Sequence, residues 1–191
     1  MDSNTTTIIL VAVVFLVLGG LIAMAAMRLQ RSKRLRERFG PEYERIVHEA
    51  GDKRKAETEL EARLAHVESL NIRPLTAEEV NRFSLEWQNT QAEFVDEPHV
   101  ALQKADRLIR EVMKTRAYPV QDFEQRAADI SVDYPELVSD YRGLHMIAVK
   151  DEDDKVSTEE MRQAMIHGRA LFENLVQKVT PETATDQKEK I

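Results

Sequence analysis

The sequence predicts an all-α protein: an N-terminal transmembrane helix, a charged helical stalk, then a bundle of four or five helices. Three observations carry this reading. Residues 8–27 contain no charged side chain, whereas the rest of the chain is densely charged. Apolar residues beyond residue 40 recur at spacings of three and four, the period of a helix buried along one face. Gly and Pro number 6 each in 191 residues, too few for the tight turns of a multi-stranded β fold. Ile130-Ser131-Val132 alternates, but it is short and bracketed by Asp129 and Asp133, so no segment reads as a strand.

Residues 1–7 carry no Lys or Arg and form a short extracytoplasmic lead. At about 1.5 Å per residue, a helix over residues 8–27 reaches roughly 30 Å, the thickness of a hydrocarbon core. A cleaved signal peptide is the rival reading, since Ala23-Met24-Ala25 looks like a small-residue cleavage site. Signal peptides, however, place an apolar region of about 7–15 residues behind a basic leader. Residues 28–38 hold Arg28, Arg31, Lys33, Arg34, Arg36 and Arg38 against Glu37 alone. Positive flanks stay on the cytoplasmic side, so the expected location is the cell membrane, with the N-terminus outside and the bulk of the chain in the cytoplasm. The same cations suit anionic headgroups, which makes the lipid bilayer the first expected partner. Gly19 and Ala23 form a small-xxx-small pair of the kind that lets two such helices approach closely.

Residues 39–74 read as the charged helical stalk and a linker. Gly40-Pro41 interrupts the first helix, and Pro41 suits a first helical turn. Ile46, Val47 and Ala50 make a small apolar face before Gly51-Asp52 breaks the pattern. Ala56, Leu60, Leu64 and Val67 follow at helical spacing, while Glu57, Glu59 and Glu61 alternate with Arg54, Lys55 and Arg63 as on a solvated helix. This is too short for a self-sufficient coiled coil, leaving two options: packing on the bundle or pairing with a second copy. Asn71 to Leu75 is the linker.

The bundle is expected over residues 75–180. Thr76 and Glu79 form a capping box, after which Val80, Phe83, Trp87, Gln91 and Phe94 line one face. Asp96-Glu97-Pro98 starts the next helix, with Leu102, Ala105, Leu108, Ile109, Val112 and Met113 inward, and Tyr118-Pro119 ends it. Phe123, Ala127 and Ile130 mark a shorter helix. Asp133-Tyr134-Pro135 restarts the chain toward Leu137, Val138, Tyr141, Leu144 and Ala148. Ser157 and Glu160 cap the last helix, whose seam is Met161, Ala164, Met165, Gly168, Phe172, Leu175 and Val179. Residues 181–191 are polar and aperiodic and read as a disordered tail.

Composition excludes several chemistries. Without Cys there is no disulfide scaffold, thiolate metal site or thiol nucleophile. The net charge of −7, with the cations concentrated beside the apolar segment, makes the remainder strongly acidic and argues against nucleic acid as a partner. No cofactor is expected, because no phosphate loop, Rossmann fingerprint, GxSxG elbow or HExxH pair occurs. Asp151-Glu152-Asp153-Asp154 fails as a calcium loop: Val156 and Arg162 stand where Gly and a carboxylate are required. The densest polar block runs from Asp122 to Asp133. Its Asp122 and Arg126 have i,i+4 spacing. Asp129 and Asp133 share the end of that helix, unless Asp133 caps the next. Arg126, Asp129 and Asp133, with His145 and His167 near the inner faces, form the speculative polar cluster, although capping and one ion pair account for the block.

Arg38-Phe39-Gly40-Pro41-Glu42-Tyr43 resembles an uncharacterised family of bacterial single-pass membrane-anchored helical proteins. Tyr118-Pro119-Val120 with Asp122 to Asp129, and Arg162 to Met165 with Arg169 to Phe172, share the resemblance, which covers residues 35–178. It implies a bacterial source and one anchor helix. It carries no activity, so no catalytic residue transfers. The chain departs from it at Gly168, where a larger residue such as Tyr is expected.

The functional expectation is a non-enzymatic, membrane-anchored protein. Its acidic cytoplasmic bundle would serve as a protein-interaction or scaffold module for an unknown partner, the chain itself included. Apolar residues around Tyr118, Tyr134 or Met146 are candidates for the contact. A self-associating structural spacer is the alternative, and a helical enzyme using the Asp/His cluster comes third.

Overall fold

The computed structural model describes residues 3–151 and 156–177, with side chains from residue 15 to 150 and from 156 to 177. Val179, the polar tail and most of the Asp151 to Asp154 run lie outside the described residues. Helix α1 (Ser3–Phe39) contains the apolar segment and the basic belt without a break. At about 1.5 Å per residue, its 37 residues reach about 55 Å. It is long and apolar enough to cross a membrane. Phe15, Leu16 and Ile22 are 71%, 78% and 70% exposed, so none of the described residues covers that part.

The chain turns sharply at Gly40 (φ 48°), where a Cβ would sit 2.6 Å from Glu136 Oε1. Helix α2 (Pro41–Ala50) then folds back along α1. It is closed by Gly51 in the left-handed conformation (φ 63°). Helix α3 (Lys53–Ser69) starts under a cap, the Asp52 side chain accepting from Lys55 N–H at 2.9 Å. Leu35, Phe39, Tyr43, Ile46, Ala56, Leu60 and Val67 form a small core together with Val132 from the bundle. The expected stalk is therefore a helical hairpin packed on the base of α1 and on the bundle. The cause is its apolar stripe, which is too short to stand alone but meets Leu35 and Phe39.

The five bundle helices are α4 (Ala77–Glu93), α5 (Pro98–Thr115), α6 (Phe123–Asp133), α7 (Val138–Asp151) and α8 (Thr158–Gln177). No strand occurs among the described residues. Both capping boxes form: Thr76 with Glu79 in α4, and Ser157 with Glu160 ahead of α8. Helix α5 is the central element, in contact with α4, α7 and α8, and its Leu102, Ile109 and Met113 have no exposed surface. It ends where Ala117 adopts φ 69° and Tyr118 N–H returns to Met113 O at 3.0 Å. Trp87 of α4 stacks on Phe172 of α8 with ring centroids 4.5 Å apart, so these aromatics belong to the core.

Gly168 is buried where α8 crosses α7 and α5. A Cβ there would stand 2.8 Å from Leu144 Cδ2 and 3.6 Å from Ile109 Cδ1. The missing side chain lets the helices approach closely. Gly168→Ala gains helix propensity of about 1 kcal/mol and displaces one methyl of Leu144, so chemical denaturation should place it within about 1 kcal/mol of the parent. Gly168→Leu overpacks the same spot and should cost about 1–3 kcal/mol.

Candidate functional site

The most concentrated charge in the body is a hub built on Glu42. Its place in the first turn of α2 favours a carboxylate, because the helix N-terminus is electropositive. The residue is only 3% exposed, so its charge needs partners. Arg45 donates through Nε at 2.7 Å and Nη2 at 2.6 Å. Arg63 of α3 donates at 3.0 Å, and Arg142 of α7 reaches the same oxygen at 3.4 Å. Arg63 also donates to Ser131 Oγ of α6 at 3.3 Å. Four helices thus meet at one carboxylate and its arginines. Burial alone would push Glu42 up, but the Arg45 hydrogen bonds and the charges of Arg142 and Arg63 hold it below its ordinary value.

The five residues of the predicted polar cluster separate into different engagements. Asp122 caps α6 by accepting from Gln125 N–H at 2.9 Å, rather than pairing with Arg126 as the spacing suggested. Arg126 turns inward, donating to Tyr141 Oη at 2.9 Å and Val120 O at 2.8 Å, with its guanidinium over the Phe123 ring. Asp129 is fully buried. One oxygen accepts from Gln125 Nε2 at 2.8 Å and faces His66 Nε2 at 3.6 Å, while Oδ2 has no hydrogen-bond partner. Burial raises its pKa, and Gln125, His66 and Arg63 oppose this only in part. Asp133 is the last residue of α6. It accepts from the Tyr118 hydroxyl and lies 3.8 Å from Arg38 of α1.

The two histidines do not meet. His145 stacks on Phe123 and faces Asp106 Oδ1 at 3.1 Å. His167 faces Asp140 at 2.7 Å. Asp106 is only 5% exposed. Burial would raise its pKa, but His145 and Arg110 outweigh that and lower it. Among the described residues, no group of three or more His, Asp or Glu is placed to hold a metal ion.

A groove of about 600 Å³ opens beside the hub, with Arg45, Arg63, His66 and Gln125 along it. Its two arginines are engaged by Glu42, Glu49 and Glu59. The chemistry available there is pairwise neutralisation that locks helices together. Only the i,i+3 spacing of Glu42 and Arg45 was visible in the sequence, because the partners on other helices lie 21 and 100 positions from Glu42.

The basic belt likewise does more than punctuate the apolar segment. Arg31 pairs with Glu61 at 2.7 Å and Arg36 with Glu44 at 3.1 Å, tying α1 to α3 and α2. Lys33 lies 3.8 Å from Glu37 on the same helix. Arg28 and Arg34 line clefts between α1 and α3. Between α1, α2 and α3, buried Glu57 accepts from the Tyr43 hydroxyl at 2.9 Å and from the Ser32 hydroxyl.

The hub and Asp129 should respond to acid in opposite ways. Glu42 titrates lower folded than unfolded. Its contribution is therefore full above its ordinary value of 4.5 and is lost as the pH falls through the depressed folded value. Glu42→Gln leaves three guanidinium groups facing one another and should cost about 3–5 kcal/mol near pH 7, less below pH 4. Asp129 titrates higher folded than its ordinary 3.8, so its ionised form opposes folding near neutrality and the penalty disappears on acidification. Asp129→Asn should therefore raise stability near pH 7 and give a smaller gain in acid. Denaturant melts across pH, followed by the fluorescence of Trp87, measure both.

No family model matches the chain, and no curated protein or solved structure is similar to it.

Proposed function

We propose that the chain is a single-pass membrane protein whose acidic helical body is a non-enzymatic interaction or scaffold module on the cytoplasmic side. One observation carries the reading. Helix α1 has an uncovered apolar part and continues without interruption into the core of the body, where Leu35 and Phe39 have no exposed surface. A body joined this way is held at a set height and orientation rather than on a loose tether. The cations that follow the apolar segment favour a cytoplasmic body, because positive flanks stay on that side.

The use of the buried titratable groups as helix joints supports a non-enzymatic role. Glu42, Glu57, Asp106 and Asp129 are buried at helix junctions, facing Arg63, Tyr43, His145 and His66 of neighbouring helices. The surface supplies the contact region. Tyr118 and Tyr134, expected as exposed apolar residues, are buried at 3% and 8%, because their hydroxyls reach Asp133 and Arg116 inside the bundle. Met146 and Val149, one turn apart on α7, are 51% and 52% exposed.

Affinity purification of the full chain from detergent extracts, after cross-linking in cells, tests this. The expected result is a recurrent protein partner whose recovery falls severalfold with Met146→Ser plus Val149→Ser, with melting temperature unchanged. A bare monomer in every preparation would contradict the proposal. A cross-linked pair of this chain alone would favour the self-associating spacer.

A further inference from the structure

The fold brings a second set of cations down to the level of the first. Helix α1 leaves its apolar part at Arg28, and α2 runs back along it from Pro41 to Ala50. Three contacts join the hairpin to α1: Arg36 pairs with Glu44, Ser32 donates to Glu57, and Arg31 pairs with Glu61. Residues 25–32 of α1 share one cleft with residues 53–58 of α3, and residues 34–38 share the next with residues 61–68. Helix α3 therefore runs in the same direction as α1, with its N-terminus toward the apolar segment. Lys53 lies four residues before Glu57, about 6 Å nearer that segment, which places it level with Arg28. The α2–α3 turn is thus the part of the body closest to the end of the apolar segment.

Between α1 and that turn lies a cleft of about 590 Å³. Arg28 and Arg31 stand on one wall and Lys53 and Arg54 on the other. Glu57, the acidic residue in the lining, is buried and engaged by Tyr43 and Ser32, with Lys53 at 3.8 Å. Arg31 is paired with Glu61 at 2.7 Å, which leaves Arg28, Lys53 and Arg54 to supply most of the positive charge. Ala25 continues the lining into the apolar segment, and Leu29, 71% exposed, sits among the cations. The cleft therefore combines cationic walls with apolar surface that runs on into the apolar segment. Free phosphate would use only the first; a phospholipid, with its phosphate and acyl chains, fits both.

We infer that Arg28, Arg31, Lys53 and Arg54 form one headgroup site for an anionic phospholipid of the leaflet next to the body. This rests on the membrane reading above and names the lipid chemistry that the reading leaves open. Lys53 and Arg54 reach the site through the hairpin, so it exists only when α2 and α3 are docked on α1.

The full chain in nanodiscs tests the inference. The chain has no Cys, so Thr58→Cys at the cleft edge accepts a single environment-sensitive dye. In phosphatidylcholine discs with increasing phosphatidylglycerol, the emission should shift and saturate. Lys53→Gln with Arg54→Gln should raise the phosphatidylglycerol midpoint on the order of tenfold. The charge-matched control Lys114→Gln with Arg169→Gln, on other faces of the body, should leave it within about twofold, where charge is screened over roughly 10 Å. Equal shifts in the two variants would overturn the inference. So would an equal response in pure phosphatidylcholine, or a full response to inorganic phosphate in neutral discs. Alkaline extraction of cell membranes separates the two levels of failure. Release of the chain by carbonate would defeat the membrane reading itself. Retention without a phosphatidylglycerol response would defeat only the headgroup site.

Discussion

Helix α1 supplies an apolar stretch, from Phe15 onward, that no other described residue covers and, two to three turns later, Leu35 and Phe39 of a protein core. This shared use of one helix constrains the rest of the fold. A helix that ends in a core cannot swing freely, so the hairpin of α2 and α3 must be built around its axis. The hairpin in turn supplies the surface on which α6 docks through Val132. Gly40 is the turning point, and its left-handed backbone allows α2 to return along α1 instead of extending away from it.

The junction between hairpin and bundle is polar, and that has consequences. An apolar seam of this size would tolerate sliding, because dispersion and hydrophobic contact are non-directional. A carboxylate that must accept from three guanidinium groups on three helices has few satisfactory arrangements. Buried ion pairs are poor sources of net stability but are costly to break singly. The same logic recurs where Arg116 donates to Tyr134 and to the Leu175 carbonyl, fastening the end of α5 to the last turn of α8. The body is held in register by buried arginines as much as by its core.

Much of this was legible in the sequence, for identifiable reasons. Period, caps and breakers are local, so the α4 and α8 capping boxes, the break at Gly40 and the inward face of α5 could be read directly. The apolar segment needed only length and the absence of charge. Docking was not legible, because it depends on partners distant in sequence. Nothing near Arg63 or Arg142 announces that each turns toward Glu42. The polar block from Asp122 to Asp133 looked like one cluster because its members are neighbours in sequence. Helical geometry spreads them around an axis, where Arg126 meets α7, Asp129 meets α3, and Asp133 meets α1. Tyr118 and Tyr134 appeared exposed for a related reason: a tyrosine beside proline suggests a loop, yet both side chains are buried, with hydroxyls bonded to Asp133 and Arg116.

On the function proposed above, the charged residues divide into three uses: buried ones that join helices, a basic collar that would meet the bilayer face, and an acidic surface that would turn to the cytoplasm. Thiol labelling of single-cysteine variants with a membrane-impermeant maleimide tests it most directly, since the parent chain has no Cys. Ser3→Cys should react in intact cells, and Gln163→Cys on the exposed side of α8 should react only after the membrane is permeabilised. Labelling of Gln163→Cys in intact cells, with Ser3→Cys protected until lysis, would contradict the account.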